Sequence, residues 1–422
     1  MLDIKFIREN LEIVRTALRN RNSKLDLDSL IRIDDSRREI LTKLEDLRSK
    51  RNKANDEIGA LLKAKKDAKE IINSMKSISE DIDSLADKLK LADTELGRIL
   101  LTIPNIPHST IPVGAPSENK VVRTWGEPKK LGFKAATHID IAQNLDIIDF
   151  NRATKITGSN FILYKGMGAK LERALINFML DLHTSKHGFT EIFPPFLVNR
   201  ASMTGTGQLP KLEEDMYKLK DDDLFLIPTA EVPVTNMFRD EILEEEKLPV
   251  YYAAYTACFR REAGTYGKDT RGLIRVHQFD KVEMVKFVKP EDSYAELEKL
   301  VNNAEEVLQL LEIPYRVLML ATQDLSFAAS KCYDLEAYAL GTDKWLEVSS
   351  CSNFEGFQAR RANIRFRRKD TNKVDFVHTL NGSGIALART VVAILENYQQ
   401  EDGSVIIPKV LRPYLDGKEK IN

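Results

Sequence analysis

The chain has 422 residues, 43% hydrophobic and 30% charged, and a formal net charge of -1 at pH 7. That length supports two or three domains with a sizeable core, and the near-neutral balance excludes a whole-protein affinity for polyanions, so any basic site must be local. No apolar run reaches the ~20 residues of a membrane span, MLDIKFIREN lacks the apolar segment of a signal peptide, and Cys258, Cys332 and Cys351 form no CxxC pair; a cytoplasmic protein with free thiols is expected.

From about Leu25 to Leu101 there is no proline, and Gly59 and Gly97 are the only glycines. Apolar residues recur by threes and fours through Ile33, Ile40, Leu44, Leu47, Ala54, Ile58 and Leu61. After the charged break KAKKDAKE they resume from Ile71 and Met75 to Leu96 and Ile99. That spacing is a coiled-coil seam, and two such helices joined by a short polar turn make an antiparallel hairpin. Each arm of roughly 35 residues would span ~50 Å, so the rod is expected to project from any globular core. The three prolines of IPNIPHSTIPVG then end the helix in an extended linker. The expected division is an N-terminal domain over 1–102, a linker over 103–120 and a second domain over 121–422.

Beyond Val121, short β-branched and aromatic runs alternate with turns: FTEIFPPFLV, DLFLIPTAEVPV, VYYAAYTACF, LIRVHQFDKVEMVKFV, KWLEVSSCSNF and VDFVHTL. Helical patterns run from Ala169 to Lys186 and from Ser293 to Leu311. The class is α+β with an antiparallel sheet.

Three segments carry candidate chemistry. In CFRREAGTYGKDTRGLIRVHQFDKVEM (Cys258–Met284), strands over Tyr251–Phe259 and Leu273–Phe287 are expected to flank a glycine-rich loop. Arg260, at the end of one strand, and Arg275, early in the next, could converge on one phosphate, which suits the guanidinium fork. Glu262 would share a face with Arg260, and Glu283 with Phe279, whose ring offers an apolar plane for a base. A solvated basic hairpin is the rival reading. LEVSSCSNFEGFQARR gathers Glu347, Ser349, Ser350 and Asn353, oxygen donors suited to a hard cation; a polar strand edge is its rival. HTLNGSGIALARTVVAILENYQ runs through Asn381, Gly382, Ser383 and Gly384, where small residues permit close approach. A helix follows, with Arg389 in its otherwise apolar first turn. That arginine needs an anion, or else a local carboxylate.

Together these strings resemble the bacterial-type seryl-tRNA synthetases, which are class II aminoacyl-tRNA synthetases. The charged stretch is similar to that family's motif 2, LNGSGIALARTVVAILENYQ to motif 3, and the helix from Ala169 ending in GFTEIFPPFLV to motif 1. The likeness extends to MLDIKFIREN, the hairpin, IPNIP, TGTGQLPK, IPTAEVP, EVSSCSNFEGFQARR and VLRPYL. It implies a class II antiparallel sheet flanked by helices, with an N-terminal antiparallel coiled-coil arm. It also implies ATP-dependent activation of L-serine and transfer to tRNA(Ser), and leaves open tRNA(Sec). By resemblance, Arg260 holds the α-phosphate and Arg389 the γ-phosphate, Glu262 reads the adenine amine and Phe279 stacks on the ring. Arg261, Arg275, Val276, Glu347, Val348, Ser349 and Ser350 complete the ATP site, with Glu347 and Ser350 as Mg2+ ligands. Thr229, Ala230, Glu231, Glu283, Asn381 and Ser383 form the serine pocket. Lys50, Arg51, Lys53, Lys63, Lys65 and Lys66 on the arm, and Arg271, are the implied tRNA contacts.

Motif 1 implies a homodimer. No zinc is expected, since the cysteines lack close spacing and the histidines show no tight pair; His277 and His378 read as structural. The chain departs from the family pattern at Ala388, where glycine is common, and at Leu212, where an aromatic is usual. A ligase charging a carrier protein, or an inactive tRNA-binding paralogue, are the rival functions. The long hairpin argues against the first, and intact Arg260, Glu262, Glu283, Glu347 and Arg389 against the second.

Overall fold

Residues 1–263 and 271–422 are described by the structure, a computed structural model. Most of the expected motif 2 loop, with Lys268, lies outside the described residues. The chain divides into two compact units, Leu2–Ile103 and Pro104–Asn422, the latter also taking in Met1.

The first unit is helical: α1 (Ile4–Glu9), α2 (Leu11–Asn20), α3 (Leu27–Lys63) and α4 (Lys69–Leu100). Asp3 caps α1 and Asp26 caps α3, each carboxylate accepting two backbone N–H groups of the first turn, as an exposed helix start requires. With 37 and 32 residues, α3 and α4 are ~55 Å and ~50 Å long. Leu44, Met75, Ile82 and Leu96 of the anticipated seam are buried, and Ala54, Ile58 and Leu61 are half-buried toward the tip. An ion pair from Arg37 to Asp93 joins the early part of α3 to the late part of α4, which makes the pair antiparallel.

The second unit is built on an eight-stranded sheet: β1 (Lys120–Trp125), β2 (Thr190–Glu191), β3 (Val250–Phe259), β4 (Gln278–Val288), β5 (Tyr315–Met319), β6 (Lys331–Ala339), β7 (Lys344–Asn353) and β8 (His378–Ala386). Their spatial order is β1-β5-β6-β7-β8-β4-β3-β2. Every pairing is antiparallel except that of the short edge strand β2 with β3. After the short helices α5 (His138–Asn144) and α6 (Phe150–Thr157), one face is covered by α7 (Met167–Ser185), α10 (Ser293–Leu310) and α12 (Leu387–Tyr398). Leu175, Met179, Leu300, Val301, Val392 and Ile394 from these helices meet Val282, Met284, Leu335 and Val348 of the sheet in the main core. Each such side chain contributes about 1.5–3 kcal/mol on burial.

The other face of β4 presents alternate residues from Phe279 to Phe287. Val285 and Phe287 are covered by a smaller apolar cluster of Ala230, Val234, Ala359, Ile364 and Phe366. Where that cover stops, at Phe279, Lys281 and Glu283, the polar site begins.

Three expectations need correction. The strand anticipated over Leu273–Phe287 begins at Gln278. Gly272 takes a left-handed φ of +71°, and the Leu273 N–H turns to His138 Nε2 at 3.3 Å, so Arg275 lies in a turn. DLFLIPTAEVPV is a strand only at Leu224–Leu226, and Glu231–Thr235 is the short helix α9. His183 and His187 do form a tight pair, Nδ1 to Nδ1 at 2.9 Å, since i,i+4 residues at a helix end are neighbours.

Candidate active site

A cavity of about 380 Å³ opens on the polar face of the sheet. Thr229, Glu231, Arg260, Glu262, Arg275, Val276, Phe279, Glu347, Val348, Ser349, Ser350, Asn381, Ser383 and Arg389 all line it. So do Ala388 and Leu212, the two departures from the family pattern.

Arg260 follows the last residue of β3. Its guanidinium lies over the Phe279 ring, 5.2 Å from the centroid, and its Nε donates to the Pro228 carbonyl at 3.3 Å. Glu262 does not share a strand face with Arg260, because β3 has already ended and Glu262 adopts φ +51°. Its carboxylate instead accepts from Arg275 Nη1 at 2.5 Å. Arg389, the third residue of α12, donates from Nε to the Ile274 carbonyl at 3.0 Å and from Nη1 to the Glu347 carbonyl at 2.7 Å. The Glu347 carboxylate also lies 3.6 Å from Nη1, the local partner the sequence left open; a guanidinium has five N–H donors, so donors remain for an added anion.

Strand parity would put Glu347 and Ser350, three residues apart, on opposite faces. A bulge resolves this: Glu347 pairs with Glu336 but Ser349 with Leu335, so Val348 is the extra residue. Both oxygen donors therefore reach the cavity. Ser350 Oγ lies 3.1 Å from Cys332 Sγ. Behind it, burial and then the Glu347 charge push the Asp334 carboxyl well above the usual carboxylate range. One carboxylate and one hydroxyl beside a phosphate-sized space fit magnesium, which takes few protein ligands and completes its shell with water and substrate oxygens.

The other end of the cavity is a buried polar network. Thr229 Oγ1 donates to Glu283 Oε2 at 2.7 Å and accepts from Lys281 Nζ at 2.9 Å. Lys281 also ion-pairs with Glu283, and Asn381 Nδ2 donates to Glu283 Oε1 at 3.3 Å. Glu283 is fully buried, so it forms the floor beneath the lining residues. Burial, then the Glu283 charge, pushes the Glu231 carboxyl up to about 7, against a hydrogen bond from Gln358 that lowers it. The Ser349 hydroxyl donates to the Ser383 carbonyl at 2.7 Å and ties β7 to β8.

Some anticipated residues stand elsewhere. Ala230 is fully buried in the second apolar cluster. Arg261 is exposed, with its N–H on the Asp215 carbonyl, and Arg271 is exposed. Gly382 and Gly384 sit inside β8, where an added Cβ would meet Cys351 and His183 respectively, so the close approach they permit is by side chains. His277 Nδ1 lies 2.9 Å from the Arg260 carbonyl and His378 Nδ1 2.9 Å from Ser293 Oγ. The three cysteines are buried, and burial raises each thiol pKa. On the arm, Lys50, Lys53, Lys63, Lys65 and Lys66 are exposed and Arg51 half-exposed.

Lys281 is a lining residue that sequence reasoning misses, although its place between Phe279 and Glu283 on alternate residues of one strand is a period-two signal.

Residues 1–107 match the model of the seryl-tRNA synthetase N-terminal domain, and residues 216–398 that of the tRNA synthetase class II core domain (G, H, P, S and T). The serine--tRNA ligase of Trichlorobacter lovleyi is 58% identical over 422 residues, covering 100% of both chains. The crystal structure of seryl-tRNA synthetase from Pyrococcus horikoshii complexed with ATP is similar with a TM-score of 0.94 at 41% identity, covering 100% of this chain and 99% of that one. The cytoplasmic serine-tRNA ligase of Naegleria fowleri in complex with AMP gives 0.88 at 32%, with the same coverage. With both of its units matched and relatives alike along their full length, the chain belongs to the seryl-tRNA synthetase family.

Proposed function

We propose that the protein activates L-serine with ATP and transfers the seryl group to the 3′ end of tRNA(Ser). The observation that carries this reading is one cavity with arginines and an aromatic ring at one end and a buried hydroxyl-carboxylate-ammonium network at the other.

Serine's carboxylate is ionised at neutral pH. It attacks the α-phosphorus without a general base, the bond to the bridging oxygen breaks, and pyrophosphate leaves. The protein's task is to position the reactants and to neutralise charge. Arg260 holds the α-phosphate, and Arg389 the γ-phosphate. Glu262 accepts from the adenine amine and Phe279 stacks on its ring, with Arg275 steadying Glu262. A magnesium ion held by Glu347 and Ser350 would supply neutralisation of the departing pyrophosphate charge. Glu283 supplies negative charge toward the serine ammonium from beneath the lining residues, through Thr229 and Asn381 that it bonds, while Thr229, Glu231, Asn381 and Ser383 bind serine's polar groups. A site built to bond a hydroxyl rejects alanine by roughly 10⁴. In the second step the terminal ribose hydroxyl of tRNA attacks the seryl carbonyl, and AMP leaves.

The arm cations are assigned to the tRNA. A homodimer is inferred from the motif 1 likeness, supported by a groove with Glu172, Arg173, Ile176 and a well-exposed Phe193.

The test is aminoacylation of unfractionated bacterial tRNA with each standard amino acid, in the presence of ATP and magnesium. Charging with serine alone is expected. Serine-dependent pyrophosphate exchange without tRNA charging would overturn the tRNA step, and neither activity would overturn the reading.

A further inference from the structure

Gln358 is the second residue of α11 (Phe357–Ala362) and is fully buried. Its side-chain Nε2 donates to Glu231 Oε1 at 2.6 Å and to the Thr206 carbonyl at 3.1 Å. Its Oε1 accepts from Thr379 Oγ1 at 2.7 Å. These contacts fix the amide's orientation: a flip would set its oxygen against a carbonyl and a carboxylate. Both N–H donors and the carbonyl are satisfied, as a buried amide must be.

We propose that Gln358 is a positioning residue for serine recognition, holding one oxygen of the Glu231 carboxylate from behind so that the other is presented to the cavity. Among the described residues, Gln358 is the side chain that bonds this carboxylate; Thr229 reaches only the Glu231 backbone N–H, at 3.2 Å. Thr379, on β8, in turn fixes Gln358, so the orientation of Glu231 is set through the strand that carries Asn381 and Ser383. Gln358 also opposes the burial and like charge that favour a proton on Glu231. Its removal leaves a buried carboxylate one donor short, which costs more than the bond itself was worth. The inference rests on Glu231 contacting serine.

The test uses Gln358→Met, which keeps length and loses the donors, and Thr379→Val, which keeps shape and loses the hydroxyl that holds the amide. Serine-dependent pyrophosphate exchange is measured as a function of serine, ATP and pH, with thermal melting alongside. The expected result for Gln358→Met is a serine KM raised about tenfold or more, with kcat and the ATP KM within about threefold. The midpoint of the pH profile of kcat/KM for serine moves to higher pH. Thr379→Val shifts both in the same direction by less, and it carries the test should Gln358→Met fail to fold. An unchanged serine KM and pH profile in folded variants overturns the proposal. So does an equal loss for serine and ATP, which marks general damage. Glu231→Gln separates the two layers: if it leaves the serine KM unchanged, the assignment of Glu231 falls and this inference with it; if it raises that KM while the Gln358 and Thr379 variants do not, the inference alone falls.

Discussion

Arg389 shows how a single side chain divides its donors. Two bonds to the Ile274 and Glu347 carbonyls hold the guanidinium at the cavity wall, and the proposed phosphate contact falls to the remaining donors. Lysine supplies a charge without the fork. Arg389→Lys is therefore expected to lower pyrophosphate exchange by about 100-fold or more while leaving the serine KM nearly unchanged. A loss under about threefold would remove Arg389 from the phosphate site.

Glu231 gives a pH signature. Its folded pKa is about 7, against about 4.3 in an unfolded chain. Between those values the folded state binds more protons, so this group's contribution to stability falls as pH rises through the window. Under the proposed role of Glu231 the ionised carboxylate is the form that binds serine, so kcat/KM for serine is expected to rise across the upper part of the same window. Glu231→Gln should flatten both trends, read by melting temperature and by exchange kinetics from about pH 5 to 8.

At the scale of elements, regular periodicity was legible and its interruptions were not. The 3-4 spacing of α3 and α4 located the hairpin, and the helical patterns at α7 and α10 matched to within two residues. Alternation put Phe279 and Glu283 on one face of β4. The run LIRV looks like a strand, yet Gly272 and the buried Leu273 turn it away before β4 begins. The Val348 bulge, which lets Glu347 and Ser350 share a face, leaves no mark in composition. Gln358 could not be found locally, since its partners come from α8 (Arg200–Thr206), α9 and β8, up to 152 residues away in sequence.

Two glycines test the difference between a packed element and an open one. A Cβ on Gly384 would lie 2.3 Å from His183 Nε2, and that ring is held by His187 and the Gly384 carbonyl. Gly384→Ala should cost about 1–3 kcal/mol, seen as a lower unfolding midpoint. Gly59 in α3 has nothing within 4 Å of an added Cβ, so Gly59→Ala should stabilise the arm by about 0.5–1 kcal/mol. Slower amide hydrogen exchange around residue 59 would register it. The opposite sign at either position would mean a different local packing there.

At the scale of the whole molecule, a formal charge of -1 has to coexist with a polyanionic substrate. Local cations without carboxylate partners can meet it. The cavity and the arm belong to different compact units, so the arm's cations can be replaced without touching the chemistry. Lys50, Arg51, Lys53, Lys63, Lys65 and Lys66 make no ion pair with any described residue, whereas Arg37 is committed to Asp93. Cations without a carboxylate partner can neutralise phosphates and release counterions. Replacing Lys50, Arg51 and Lys53 together by alanine is expected to raise the KM for tRNA(Ser) and to flatten its dependence on salt, by about 0.7–0.9 in the log-log slope for each phosphate no longer neutralised. The tip set, Lys63, Lys65 and Lys66, tested separately, shows which stretch of the arm lies against the tRNA. Pyrophosphate exchange, which needs no tRNA, should stay at its original rate in both variants. If exchange falls in parallel with aminoacylation, the arm acts on the adenylation site; if neither changes, these cations do not bind tRNA.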